Sequence, residues 1–253
     1  MDAENPPSRE RINLLKVPLD IVSPERLIYV VNELLASGEG KNIVLLSIWD
    51  LLRARRHGEY RSYILSASLI IPISKSLVGG ARFLTGKKVV RYMPFDFIIQ
   101  LLTILETREL TVYLLGGKLH ILRKAEKNVH DTFPHLHIVG RYAGSFKKQD
   151  AKTILEAIRK ATPSLVLVGK GVQREELWIA KNHTQLSQGL RLWCSDMYDI
   201  FAARKRHPSR FVFDHGLEWI PYCFQNPLRF FRIFPYLYYK VLLLVYRIFK
   251  KEG

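Results

Sequence analysis

The chain has 253 residues, 48% of them hydrophobic, and a formal net charge of +16 at pH 7. That length and apolar content suit one large domain, or a domain with an appendage, and the charge calls for an anionic partner or surface. Two cysteines, Cys194 and Cys223, exclude a disulfide framework and a cysteine metal cluster and fit a reducing cytoplasm, while no helix-turn-helix, zinc-finger or RRM signature supports nucleic acid as the partner.

The opening MDAENPPSRERINLL is polar and charged, unlike a secretory signal, and reads as a disordered lead-in over residues 1–12. Asn42–Ser47 reads as a strand, followed by a helix through Arg56. Ala67–Ile73 is a second strand. Ser76–Leu84 follows as a helix broken by Gly79 and Gly80, and Asp96–Arg108 carries apolar residues at helical spacing. Strand Leu110–Leu115, helix Leu119–Thr132 and strand Leu136–Gly140 come next. Helix Gln149–Ala161, strand Leu165–Val168, helix Glu175–His183 and strand Leu190–Cys194 complete the series. Strands alternating with helices of ten to fifteen residues imply βαβ crossovers, hence an α/β, Rossmann-like, mostly parallel sheet over residues 13–206.

Two strands end in glycines, VYLLGGK at Val112–Lys118 and LVLVGKGV at Leu165–Val172. Glycine at a strand's carboxyl end lets the backbone approach a ligand, and open α/β sheets bind ligands there. The two mouths therefore suggest a phosphate- or nucleotide-bearing molecule; the plainer alternative is a pair of tight strand-to-helix turns. They form neither a GxGxxG fingerprint nor a Walker A loop. His135 and His137 flank one residue with no third ligand at suitable spacing, so neither a metal nor another cofactor is expected.

Residues 207–253 change character, with aromatic and basic residues and no acidic residue between Glu218 and Glu252. Pro235 is placed to start a helix. At about 100° per residue, Lys240, Arg247, Lys250 and Lys251 share one sector, and Leu237, Val241, Leu244, Val245 and Ile248 lie largely outside it. Such a helix suits a headgroup layer. Docking on the body or a subunit contact is the alternative, and the charge-free run Val241–Tyr246 is far short of the roughly 20 residues of a membrane span.

Read in order, INLLKVPLDIVSPERLIYVVNELL, RARRHGEYRSYILSASLIIP, VYLLGGK, FPHLHIVGRYAGSF, PSLVLVGKG, EELWIAKN and HGLEWIPYCFQNPLRFFR resemble the WecG/TagA/CpsF family of bacterial glycosyltransferases, from about Asn13 to Tyr236. The resemblance implies a short opening strand and amphipathic helix, a Rossmann-like core and a membrane-associated carboxyl-terminal appendage. It further implies transfer of an N-acetylmannosamine-type sugar from a UDP-sugar to a polyprenyl-diphosphate-linked amino sugar in cell-surface polysaccharide assembly, on the inner face of the membrane.

The same resemblance places the family's catalytic aspartate, in Pro-Asp-Gly, on Ile73 between Pro72 and Ser74. Its Thr-Pro-Asn element falls on Leu45, Leu46 and Ser47, and its Pro-Lys-Gln-Glu stretch on Gln173, Arg174, Glu175 and Glu176. Isoleucine cannot take a proton, so either another carboxylate is the base or the chain binds nucleotide-sugar or lipid without ordinary turnover. Asp96 and Asp199 match family aspartates and are the candidate bases, with Asp50 a further carboxylate. Plainer roles are a helix cap for Asp96 and an ion pair for Asp199. Gly116, Gly117, Gly169, Gly171, Arg91, Arg174 and Glu176 are candidates for holding the donor. Arg204, Arg206, Arg210, Arg229, Arg232, Lys240 and Arg247 are candidates for the acceptor diphosphate or anionic headgroups.

Overall fold

The computed structural model describes residues 9–217 and 233–249. An antiparallel hairpin of β1 (Glu10–Leu14) and β2 (Val17–Ile21) leads into α1 (Pro24–Ala36). The pairing begins inside the expected lead-in, and two strands stand where the resemblance implied one. Leu15 and Lys16 make the two-residue turn at φ 51° and 68°, a conformation whose usual signal is Asn or Gly.

The main sheet has six parallel strands in the order β4-β3-β8-β7-β5-β6. They are β3 (Lys41–Leu46), β4 (Leu69–Pro72), β5 (Thr111–Leu115), β6 (His137–Tyr142), β7 (Leu165–Val168) and β8 (Leu190–Trp193). β4, β5 and β7 are almost continuous apolar runs because helices cover both faces of the sheet. One face carries α2 (Ile48–Ala54), α3 (Glu59–Leu65), α4 (Lys75–Thr85), α7 (Ala151–Ala161) and α8 (Glu176–Lys181). The other carries α1, α5 (Pro94–Thr107), α6 (Leu119–Thr132) and α9 (Met197–Phe201). Two further helices are α10 (Arg210–His215) and the tail helix α11 (Ile233–Phe249).

Two expected helices take a different form. The helix expected to run through Arg56 ends at Ala54, and α3 follows from an N-cap at Gly58 whose φ of 131° suits glycine. The expected break at Gly79 and Gly80 is absent, for α4 is continuous across both. Gly80 is instead a packing notch: a β-carbon there would lie 1.9 Å from the hydroxyl of Tyr239 and 3.2 Å from Leu243. Tyr239 and Leu243 of α11 are buried in the core, and the Tyr239 hydroxyl donates to the Ser76 carbonyl at 3.1 Å. The tail helix thus docks on the body along one face. Its opposite face, with Leu237, Val241, Leu244 and Ile248, is exposed.

The hairpin seals the β4 edge through Asp20, which is 1% exposed. Its carboxylate accepts from Arg11 Nε and Nη2 at 2.7 and 2.8 Å, and from the Ile70 backbone N–H at 2.7 Å. The paired charge raises the Arg11 pKa. Asp20→Ala leaves a buried N–H and a partly buried guanidinium without this acceptor, and should cost about 3 kcal/mol in chemical denaturation.

Candidate active site at the strand carboxyl ends

All six parallel strands deliver their carboxyl ends to one rim, and the residues singled out from the sequence converge there to different degrees. β5, β6 and β7 exit into loops joined to one another. Gly116 N–H donates to Tyr142, Gly117 N–H to Lys170, Gly144 N–H to Gly117 and Gly169 N–H to Leu115, at 2.7 to 2.9 Å. A β-carbon on Gly116 would meet the Gly169 backbone at 2.7 Å, and one on Gly169 would meet the Tyr198 ring at 2.4 Å. Tyr198 is buried below them, its hydroxyl donating to Leu167 at 2.8 Å, and burial raises its pKa. Gly116, Gly117 and Gly169 therefore serve close backbone packing, and their N–H groups are already used. Gly171 differs: it is exposed at φ 87°, and a β-carbon placed on it would come no nearer than 3.8 Å to any neighbour, the Ser145 Oγ. Of the four glycines, it has room for a ligand.

Between the β7 and β8 exits stands a charge cluster that sequence reading brought together only in part. Lys170, flanked by Gly169 and Gly171, pairs with Asp199 and lies 3.7 Å from Asp196, which also pairs with Lys205. Asp199 is buried, and its backbone carbonyl accepts from Arg204 and Lys205 at 2.8 and 3.1 Å. Asp196 and Lys170 drew no attention in the sequence because their meeting is tertiary. Cys194, beside them, has its thiol pushed up to about 12 by burial.

A second cluster joins α2, α3 and α8. Arg53 pairs with Glu176 and covers the Tyr60 ring at 3.8 Å, and Tyr60 donates to Asp50 at 2.8 Å. Asp50 also accepts from the Ser47 backbone N–H at 2.8 Å, completing a capping box. Burial raises the Glu176 pKa against the opposing pull of Arg53. A raised carboxylate favours the folded state when protonated, so this group's contribution falls as pH rises from the ordinary carboxylate range through the raised value. Glu176→Gln should therefore be at least as stable as wild type at pH 8, with that relative gain disappearing on acidification, as read by Tm against pH. Arg174 is exposed, pairs with Glu59 at 2.7 Å, and sits with Glu175 at positive φ (64° and 49°), a strained pair for non-glycine residues.

At the β4 exit, Arg91 Nε donates to the Ile73 carbonyl at 2.9 Å, and its guanidinium also donates to the Phe213 carbonyl and covers the Phe213 ring at 3.7 Å. Tyr92 N–H donates to Pro72 at 3.0 Å, which brings the start of α5 to the same exit. Asp96 lies in the first turn of α5, where Met93 is the N-cap and makes no side-chain cap bond. The suggested capping role for Asp96 therefore belongs to another position. Arg204, Arg206 and Arg210 are exposed beyond β8, and Lys240 and Arg247 are exposed along α11. Arg229 and Arg232, with Lys250 and Lys251, lie outside the described residues.

A family model described as "Glycosyl transferase WecG/TagA/CpsF family" matches residues 12–252. The chain belongs to this glycosyltransferase family. Among its relatives is an N-acetylglucosaminyldiphosphoundecaprenol N-acetyl-beta-D-mannosaminyltransferase of Bacillus spizizenii, 26% identical over 181 residues, covering 71% of this chain and 69% of the relative. A Staphylococcus aureus protein of the same description is 20% identical over 222 residues, covering 87% of each chain. The α/β sheet and the helical carboxyl-terminal part agree with the Rossmann-like glycosyltransferase fold implied by the resemblance. Among the described residues, no helix is long and apolar enough to cross a membrane, and no cluster of His, Cys, Asp or Glu is arranged to hold a metal ion.

Proposed function

We propose that this glycosyltransferase moves an N-acetylhexosamine from a UDP-sugar to a polyprenyl-diphosphate-linked acceptor, working on the inner face of the cell membrane. The carrying observation is the rim itself, where Gly171, Lys170, Arg174 and Arg91 border the carboxyl ends of parallel strands. Cations and an uncrowded glycine suit a donor diphosphate and the charge that develops on departing UDP. In this reading Asp96 takes the acceptor hydroxyl's proton, while Lys170, held by Asp199, faces the diphosphate. The outward apolar face of α11, bordered by Lys240 and Arg247, rests in the headgroup layer.

A second reading, a family member that binds donor or lipid without turnover, is favoured by one observation. Ile73 holds the position implied for the base, and Asp50 and Asp199 are both engaged by protein partners. Incubating the purified chain with UDP-N-acetylmannosamine and a polyprenyl-diphosphate-N-acetylglucosamine separates the two. Disaccharide formation supports transfer, and UDP binding without product from any sugar pair supports the second reading. No UDP binding sinks the transfer reading and leaves the second only as a lipid binder; binding neither UDP nor the lipid-linked sugar sinks both. Co-sedimentation with anionic vesicles checks the membrane part: Leu237→Glu with Leu244→Glu should abolish it, and unchanged sedimentation would refute that part.

A further inference from the structure

α11 has a direction as well as an exposed face. Trp49 at the start of α2 contacts Tyr236, and Arg55 at its end lies over the Tyr246 ring at 5.3 Å. On α4, the order is the same: Gly80 meets Tyr239, and Phe83 meets Arg247 at 4.3 Å. The tail helix therefore runs parallel to α2 and α4, and its amino-terminal end lies at the rim where those helices leave their strands. Leu237 follows Tyr236 directly, so the outward face formed by Leu237, Val241 and Leu244 begins next to the residue that Trp49 contacts.

Trp49 suits that position. It is the second residue of α2, directly beyond the β3 exit, and it is 39% exposed. Its backbone is held on both sides: Ile48 N–H donates to Ser74 Oγ at 3.1 Å, and the Ser47–Asp50 capping box closes around it. Tyr236 braces the indole edge-on, with centroids 6.3 Å apart and planes at 85°. A large, fixed aromatic at a junction between polar site and apolar surface is built to contact a molecule having both characters.

We infer that Trp49, braced by Tyr236, contacts the isoprenoid segment next to the acceptor's diphosphate and so selects lipid-linked over water-soluble acceptors. The inference rests on the proposed acceptor class, and its test is independent of turnover. Titrate the full chain with farnesyl diphosphate and with inorganic diphosphate by calorimetry, and with UDP as a control. Wild type should prefer farnesyl diphosphate, and Trp49→Ala should reduce that preference about tenfold with UDP affinity unchanged, whereas Trp49→Phe should retain most of it. The inference fails if wild type shows no preference for the prenyl chain. It also fails if Trp49→Ala keeps the preference, or loses UDP binding in parallel. If the prenyl preference depends on Trp49 but no sugar is transferred, the contact stands and the transferase reading falls alone.

Discussion

Asp96→Asn is expected to lower kcat by about 10²- to 10⁴-fold while UDP affinity stays within about twofold, the loss associated with removing a general base. The expectation comes from what the other rim carboxylates are doing. Asp50 is committed to the Ser47 cap and to Tyr60. Asp199 is buried against Lys170, and Asp196 is shared by Lys170 and Lys205. Glu176 is buried against Arg53. Asp96 lies in the first turn of α5, a helix whose start is tied to the β4 exit by the Tyr92–Pro72 hydrogen bond. Asp199→Asn should behave differently, raising the donor KM more than it lowers kcat, because it frees Lys170 from its fixed position. Kinetics of the two variants across pH 6 to 9 separate the roles. Equal losses in kcat for both, or none for Asp96→Asn, would remove Asp96 as the base.

The contrast between these carboxylates also marks how far the sequence could be read. The alternation of apolar runs and amphipathic segments led to the parallel sheet, because burial on both faces leaves its mark in the strands inside the exposed edge strand β6. The glycines after β5 and β7 were visible too, but their purpose was not. Gly116 and Gly169 lack side chains because their backbones pack against each other and Gly169 also packs against Tyr198, contacts between segments about thirty to fifty residues apart in sequence. Lys170 reads as one more surface cation until the fold places Asp196 and Asp199 beside it. The hairpin turn at Leu15 and Lys16 escaped because its positive φ values occur at residues that carry no turn signal. On the tail, the helical wheel separated basic from apolar residues, but only the structure shows that the apolar surface divides into a docked face at Tyr239 and Leu243 and an exposed one at Leu237 and Val241.

That docked face makes Gly80 the position where local and tertiary preferences oppose each other. In an isolated helix, Gly80→Ala should stabilise α4 by about 1 kcal/mol, since alanine is the better helix former. In this protein the added β-carbon would overlap the Tyr239 hydroxyl and crowd its ring carbon at 2.9 Å. Tyr239 is nearly fully buried and tied to Ser76, so the ring has little space into which to move. The tertiary term should win, and α11 should lift from α2 and α4. Hydrogen exchange would then show residues 233–249 losing protection while the sheet keeps its own. Tyr239→Ala should release the helix likewise, removing an aromatic contact of about 3–5 kcal/mol. In the Tyr239→Ala background, Gly80→Ala should regain the sign expected for a bare helix and raise stability. A double-mutant cycle with no coupling between the two positions would show that the notch does not hold the tail. With coupling present, vesicle binding of Gly80→Ala reports whether the docked orientation, rather than the apolar face alone, brings the rim to the lipid surface.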